Sequence, residues 1–393
     1  MKLVIRNVKR VKRWRLVTGL AVLFWLCASF VRADDYPLTT GDGFAVPQPG
    51  RHFAFPRDYG SHPEFAIEWW YITGHLFVTN DATERFGFQV TFFRRSIVSP
   101  KGTNTTTDAA FGDDQIYLAH MTLTDIQSGQ FRFQERLNRG GWDAASSTNT
   151  LDVRNGNWTL KLKPGTNIVI DLQSTIGADE ASTLQFIPEK PLVAFGTNGV
   201  SRKAADLTAS SHYLTFPRLA VSGTVTLDET NLPIRGEAWM DHEFSSSQVG
   251  KDQVGWDWLC LQLIDGREIM AYRMRRKDDS TDPYSTVAWV DTKGTVRQVG
   301  PTEFQWNVLD RWKSPHTGAN YPSLVRLAAK NPETGKTEAF TIEPLVADQE
   351  LSGKLGGVNY WEGACRILDD NKKVIGRAYM ELTGFSKSLK GKF

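Results

Sequence analysis

Four short segments set a titratable side chain among aromatic rings: "EWWYITGHL" with Glu68, "GEAWMDHEF" with Asp241, His242 and Glu243, "GWDWLCLQL" with Asp257, and "YWEGACRIL" with Glu362. A carboxylate buried without a partner costs on the order of several kcal/mol, so each of these acids needs a physical reason. One reason is pairing with an arginine on a neighbouring strand, for which Arg94, Arg95, Arg275, Arg276 and Arg366 are the candidates. The other is a carboxyl that keeps its proton because it is desolvated. Such a group can act as a general acid, and the surrounding indole faces stabilise a cation formed by the proton transfer. Both reasons stay open on the residues alone.

Strand parity sorts these groups. With a period of two, Glu68 points with Trp70 and Ile72, while Trp69, Tyr71 and His75 point the other way. Asp257 points with Leu259, Leu261 and Leu263, opposite Trp256, Trp258 and Cys260. Glu362 lies opposite Trp361, and His120 lies with Leu118 and Thr122. In "WMDHEF", Asp241 and Glu243 share a side with Trp239, and His242 faces with Met240 and Phe244. The catalytic candidates are therefore Asp241, Asp257, His242 and Glu68. The ligand-facing candidates are Trp69, Trp70, Tyr71, His120, Trp239, Trp256, Trp258, Trp361 and Glu362. Glu68, Asp241, His242 and Asp257 are expected to share one pocket.

Other chemistries lack their signatures. His52, His62, His75, His120, His212, His242 and His316 show no HxH or HExxH spacing, so no metal is expected. No Gly-x-Ser-x-Gly elbow, P-loop or dinucleotide fingerprint occurs, so no cofactor is expected either.

The elements that must hold these groups are short alternating runs broken by Gly, Pro, Asn and Asp, such as "FGFQVTFFRR", "QIYLAHMTLTD" and "LAVSGTVTLDET". No window shows sustained helical periodicity, and the chain reads as all-β, in sandwiches or closed barrels. A weak internal repeat divides it. Residues 67–95 and 254–276 each run acid among aromatics, apolar strand, turn, and a second strand ending in two arginines. Each reads as an opening hairpin, closed later by residues 235–244 and by a final hairpin at 359–385. The expected organisation is an extension at 34–47, a first barrel at 48–247 and a second at 248–393, with the polar stretch 245–253 at the junction.

Residues 1–33 read as a cleaved export signal: Lys2 to Arg15 are basic, Leu16–Phe30 is apolar but short for a span, and Ala33 precedes Asp34 and Asp35. Cleavage removes eight of the 46 Lys/Arg and none of the 44 Asp/Glu, turning +2 into about −6. A mildly acidic mature chain without a basic run carries no footprint for nucleic acid and keeps no membrane span. The expected location is periplasmic or secreted. Cys260 and Cys365 remain, and the sequence leaves open whether they pair.

Taken in order, "EWWYITGHL", "AHMTLTD", "GEAWMDHEF", "GWDWLCLQL", "YWEGACRI" and "YMELTGF" resemble the AttH-like and carotenoid 1,2-hydratase (hydroxyneurosporene synthase) proteins, often of the predicted secreted hydrolase type, over roughly residues 45–390. The resemblance implies two consecutive lipocalin-like antiparallel β-barrels. Hydratase members of that family add water across an isolated C=C of an acyclic carotenoid without a cofactor, related two-barrel proteins act as cyclases on polyketides, and AttH-like members accompany a transporter-type permease. Carried onto this chain, Asp241 or Asp257 would protonate an alkene, Trp70, Trp239 and Trp258 would face the tertiary cation, and His242 or Glu68 would direct the water. Two functions follow. The first is an exported protein that binds a hydrophobic, lipid-like or isoprenoid ligand in an aromatic cleft as accessory to an ABC-type export system. The alternative is a cofactor-independent hydratase or hydrolase acting by general acid catalysis.

Overall fold

The run "IEWWYITGHLFV" becomes the strand Ile67–Val78 and folds back on Glu84–Ser96, with Glu68 opposite Arg94 and Trp70 opposite Phe92. The computed structural model describes residues 36–79, 84–101 and 114–389. Among these, regular structure is β apart from one 3-10 turn at Arg57–Tyr59. The expected signal segment 1–33 lies outside the described residues. No helix among them is long and apolar enough to cross a membrane.

Two antiparallel sheets of 13 and 10 strands form two lipocalin-like barrels, the first nearly closed and the second a half-barrel. In the first sheet the neighbours run Gln130–Arg139, Gln115–Asp125, Glu84–Ser96, Ile67–Val78, Thr230–Ser247, Ser210–Leu227 and Glu180–Pro188. In the second, Glu268–Arg276 and Gln253–Leu263 are followed by Val374–Thr383 and Asn359–Leu368. The repeat is visible here as topology: each opening strand pairs on its free side with a strand from the end of its own sheet, Ile67–Val78 with Thr230–Ser247 and Gln253–Leu263 with Val374–Thr383. The passage from one sheet to the other falls between Ser247 and Gln253.

Parity then decides which side chains fill the barrels and which lie between them. Trp70, Ile72 and Leu76 join Phe86, Phe88, Trp158 and Phe186 in the first core. Leu259, Leu261 and Leu263 join Trp289, Tyr321 and Trp361 in the second. Each such buried side chain contributes roughly 1.5–3 kcal/mol, and together they fill the space in which a typical lipocalin holds its ligand. The opposite faces of the same strands carry a third apolar cluster, with Tyr71, Tyr213, Trp239, Trp258, Tyr272 and Tyr379, packed between the two sheets.

That contact is close and polar at its edges. A Cβ on Gly87 would lie 2.5 Å from the Ala364 Cβ of the other sheet, so the first barrel needs glycine there. Gln262 of the second sheet donates to the carbonyls of Pro217 and Ala238, both at 2.9 Å, and Arg218 donates to the buried Glu268 at 2.6 Å. Cys260 and Cys365 are both free and buried. They point to opposite faces of one sheet, Cys260 into the cluster between the barrels and Cys365 into the second core, which rules out their pairing.

Candidate functional site

The outward faces of the two opening hairpins leave a cavity of about 370 Å³ between the sheets. Trp69 and Tyr71 come from the first opening strand, Trp256 and Trp258 from the second, so the same parity that buries Trp70 and Leu259 turns these four rings toward each other. His120, Asp241 and Glu362 also line it. Seven of the residues expected at the site are thus brought together: Asp241, Trp69, Tyr71, His120, Trp256, Trp258 and Glu362.

The other six are placed elsewhere, and the expectation of one pocket shared by Glu68, Asp241, His242 and Asp257 gives way to two different arrangements. Glu68 and His242 face the interior of the first barrel. Glu68 accepts from Arg94 Nε at 2.9 Å, from the Ser61 hydroxyl at 3.0 Å and from the His62 backbone N–H, and both His62 Nδ1 (2.8 Å) and His242 Nε2 (2.9 Å) meet its Oε1. His62 in turn reaches Asp58 at 2.9 Å. Burial works to raise the Glu68 carboxyl, but Arg94 and the two histidines outweigh it and hold it well below the usual range. Burial pushes His242 down. Ligand atoms of His62, Glu68 and His242 lie within 4.8 Å of one another. The Arg94 guanidinium on the same carboxylate and the second contact of His62 to Asp58 make this a hydrogen-bonded ion network rather than a cation cage.

Asp257 faces the second core and is paired with Arg273 at 3.0 Å and Arg275 at 3.3 Å. Burial raises its carboxyl, and Arg275 and Arg273 oppose the rise. Trp70 stacks on His242 with ring centroids 4.9 Å apart, and Trp361 donates to the Ala347 carbonyl at 2.8 Å, both inside the barrels. Trp239 lies behind the cavity wall, where its indole N–H donates to Asp241 at 2.7 Å.

Asp241 accepts two further hydrogen bonds, from Thr215 at 2.6 Å and Tyr213 at 2.7 Å, and Tyr213 itself accepts from the Trp258 indole at 2.9 Å. No cation pairs with it among the described residues. Burial pushes its carboxyl up to about 7, the three donors oppose this, and Glu243 adds to the rise.

Sequence reasoning missed the partner of Glu362. Glu381 stands directly opposite it on Val374–Thr383, also lines the cavity, and accepts from the Trp256 indole at 3.2 Å. Burial and then Glu381 hold Glu362 well above the usual carboxylate range, against the Tyr71 and Tyr360 hydroxyls. Burial raises Glu381 to about 8, with Asp241 and Glu243 adding to it. Glu381 is half-buried at the cavity wall. Glu362 Oε1 is buried without a hydrogen-bond partner among the described residues. Two carboxyls this close cannot both ionise cheaply, and at neutral pH the pair keeps at least one proton. Tyr360 also meets His120 Nδ1 at 2.7 Å across the interface.

This arrangement, acids and indoles from two consecutive barrels facing one cleft, sits in a chain whose residues 46–385 match the AttH-like family. The chain is a member of the AttH-like family. A putative AttH from Nitrosomonas europaea is similar at 34% identity, with 87% of this chain and 100% of that one covered and a TM-score of 0.76. Kievitone hydratase from Nectria haematococca is similar in fold alone, at 14% identity, with 89% and 96% covered and a TM-score of 0.59. No match is found among curated proteins. In this AttH-like chain the carboxyls with raised proton affinity at the cavity are Glu362, Glu381 and Asp241, and Trp69, Tyr71, Trp256 and Trp258 supply rings able to face a cation.

Proposed function

We propose that this AttH-like protein is a cofactor-independent acid catalyst of the hydro-lyase type, acting on an apolar, isoprenoid-like alkene held between its two barrels. The observation that carries this is the cross-strand pair Glu362 and Glu381, facing an aromatic cavity and without an arginine or lysine partner among the described residues. A proton held there at neutral pH is available to one alkene carbon. The cation left on the other carbon is met by the faces of Trp256, Trp258 and Tyr71. Water adds to that carbon, and its surplus proton returns to the carboxylate pair, which is thereby restored. The cavity is at the small end of the roughly 300–1,000 Å³ typical of ligand sites, which fits a short isoprenoid or one end of a longer one. The fold shared with kievitone hydratase is compatible with this chemistry.

A second reading keeps the ligand and removes the reaction. Asp241 is saturated with donors and the lining is mostly apolar, as a carrier would require. As a carrier, the protein would deliver that ligand to an ABC-type export complex, and export of the mature chain past residues 1–33 belongs to either reading. N-terminal sequencing of exported material should read "DDYPL", and a membrane-held form keeping residues 1–33 would contradict export. Native mass spectrometry of the protein from its own host names the bound ligand. Incubated with that ligand, wild type should form the water adduct or its dehydrated product, and Glu381→Gln should not. A ligand that binds and leaves unchanged makes the protein a carrier.

A further inference from the structure

The cavity lining is chemically divided, and one cation in it is left with unused donors. Lys203 is 5% exposed and lies at the wall. Its ammonium is 4.2 Å from the Tyr272 ring centroid, 4.7 Å from that of Tyr213, and 3.5 Å from Glu243 Oε1. It donates no hydrogen bond to any described residue. Glu243 is further held by Gln248 at 2.8 Å. A buried ammonium with three N–H groups, one loose ion pair and two ring faces is incompletely satisfied, and the space it borders is the cavity.

The sheet order sets this group apart from the apolar lining. Leu118 stands on Gln115–Asp125 and Glu243 on Thr230–Ser247, three strand spacings away, or about 14 Å. Leu118, Ile116, Leu137 and Val358 contribute carbon only. The acids Glu362, Glu381 and Asp241 line the same cavity.

We infer that the ligand is amphipathic: a neutral oxygen, hydroxyl or carbonyl, accepts from Lys203 at one end, and an apolar chain runs past the acids toward Leu118. The oxygen is neutral because Glu243 already balances the Lys203 charge, and a carboxylate would add an anion beside Glu243 and Asp241. This deepens the proposed function and rests on it for the presence of a ligand in this cavity.

The test uses the mature chain and three probes sharing one carbon skeleton, farnesol, farnesoic acid and farnesene, titrated by quenching of tryptophan fluorescence. Lys203→Met alone would strand Glu243, so the double variant Lys203→Met with Glu243→Gln accompanies it and keeps the contact to Gln248. Wild type should bind farnesol at least about tenfold more tightly than farnesene, with farnesoic acid weaker than farnesol. In the double variant the farnesol preference should vanish while farnesene affinity and Tm hold. Equal binding of farnesol and farnesene by wild type, a preference surviving in the double variant, or tightest binding of farnesoic acid each overturns this inference alone. Failure of all three probes to bind contradicts the proposed ligand as well.

Discussion

Glu68 and Glu362 each follow the pattern of a glutamate beside a tryptophan in a buried strand, and the two strands differ in what the cross-strand neighbour supplies. Opposite Glu68 stands Arg94, and His62 and His242 close the shell, so the carboxyl is ionised and fixed. Opposite Glu362 stands Glu381, and burial with that neighbour holds the carboxyl well above the usual carboxylate range. Asp257, the counterpart of Glu68 in the second opening hairpin, is also paired with arginines and also faces a barrel core. Acids that face into a barrel here serve its architecture. Glu362 and Glu381 face between the barrels without a cation and are free for chemistry, whereas Glu243 and Glu268 there are paired with Lys203 and with Arg218. Burial is common to both classes, so the partner decides the role.

The sharpest way to break this contrast is to remove one anion from each class. Glu68→Ala leaves Arg94 buried and uncompensated, and the expected loss is roughly 3–5 kcal/mol by denaturant unfolding. A loss under about 1 kcal/mol would mean that the network is not what holds the strand entry together.

The second effect is a reversal of sign. The Glu381 carboxyl is raised to about 8, so between its unfolded value near 4.5 and that point the folded state binds more protons, and wild-type stability falls as pH rises. Glu381→Gln should make that decline shallower, leaving the parts due to Asp241 and Glu362, stand at least as stable as wild type at mildly alkaline pH, and lose turnover. Glu68 has the opposite linkage, because its folded value is depressed: its contribution is complete above about 4.5 and is lost as pH falls. Thermal melts across pH of Glu68→Gln and Glu381→Gln should therefore flatten opposite limbs of the wild-type curve. Flattening of the same limb by both would merge the two classes.

Asp241→Asn should act like Glu381→Gln but over a narrower interval, from the ordinary aspartate value of 3.8 up to about 7, because three donors restrain its rise. Trp258→Phe is the smallest change. Losing the indole N–H to Tyr213 should cost about 1 kcal/mol in stability while the retained ring keeps most ligand affinity.

Much of this was legible in the residues. The period of two placed Trp69, Tyr71, Trp256, Trp258 and Glu362 on faces that turned out to meet, and the repeated hairpin gave the pairing of opening and closing strands. It also showed Glu68 and Asp257 pointing with core residues, where an arginine partner is the physically expected outcome. The Glu362–Glu381 pair was not legible, and the cause is local. A final hairpin centred on the turn at Asp369–Lys373 pairs Leu368 with Val374, and continuing that register would set Glu362 opposite Met380. A register shift between Ile367 and Leu368 moves the strand by one residue, so Glu362 meets Glu381 and Gly363 meets Met380. Lys203 was missed for a different reason, since it stands at the end of the two-residue strand Ser201–Arg202, too short for any parity.

The contrast between the two classes of acid is tested most directly by infrared difference spectroscopy of the folded protein at neutral pH. A protonated carboxyl C=O stretch should be present in wild type and should be reduced in Glu362→Gln and in Glu381→Gln, while Glu68→Gln leaves it unchanged. A wild-type spectrum with every carboxyl ionised, or a protonated band that disappears only in Glu68→Gln, would contradict the assignment of the catalytic proton to the cavity between the barrels.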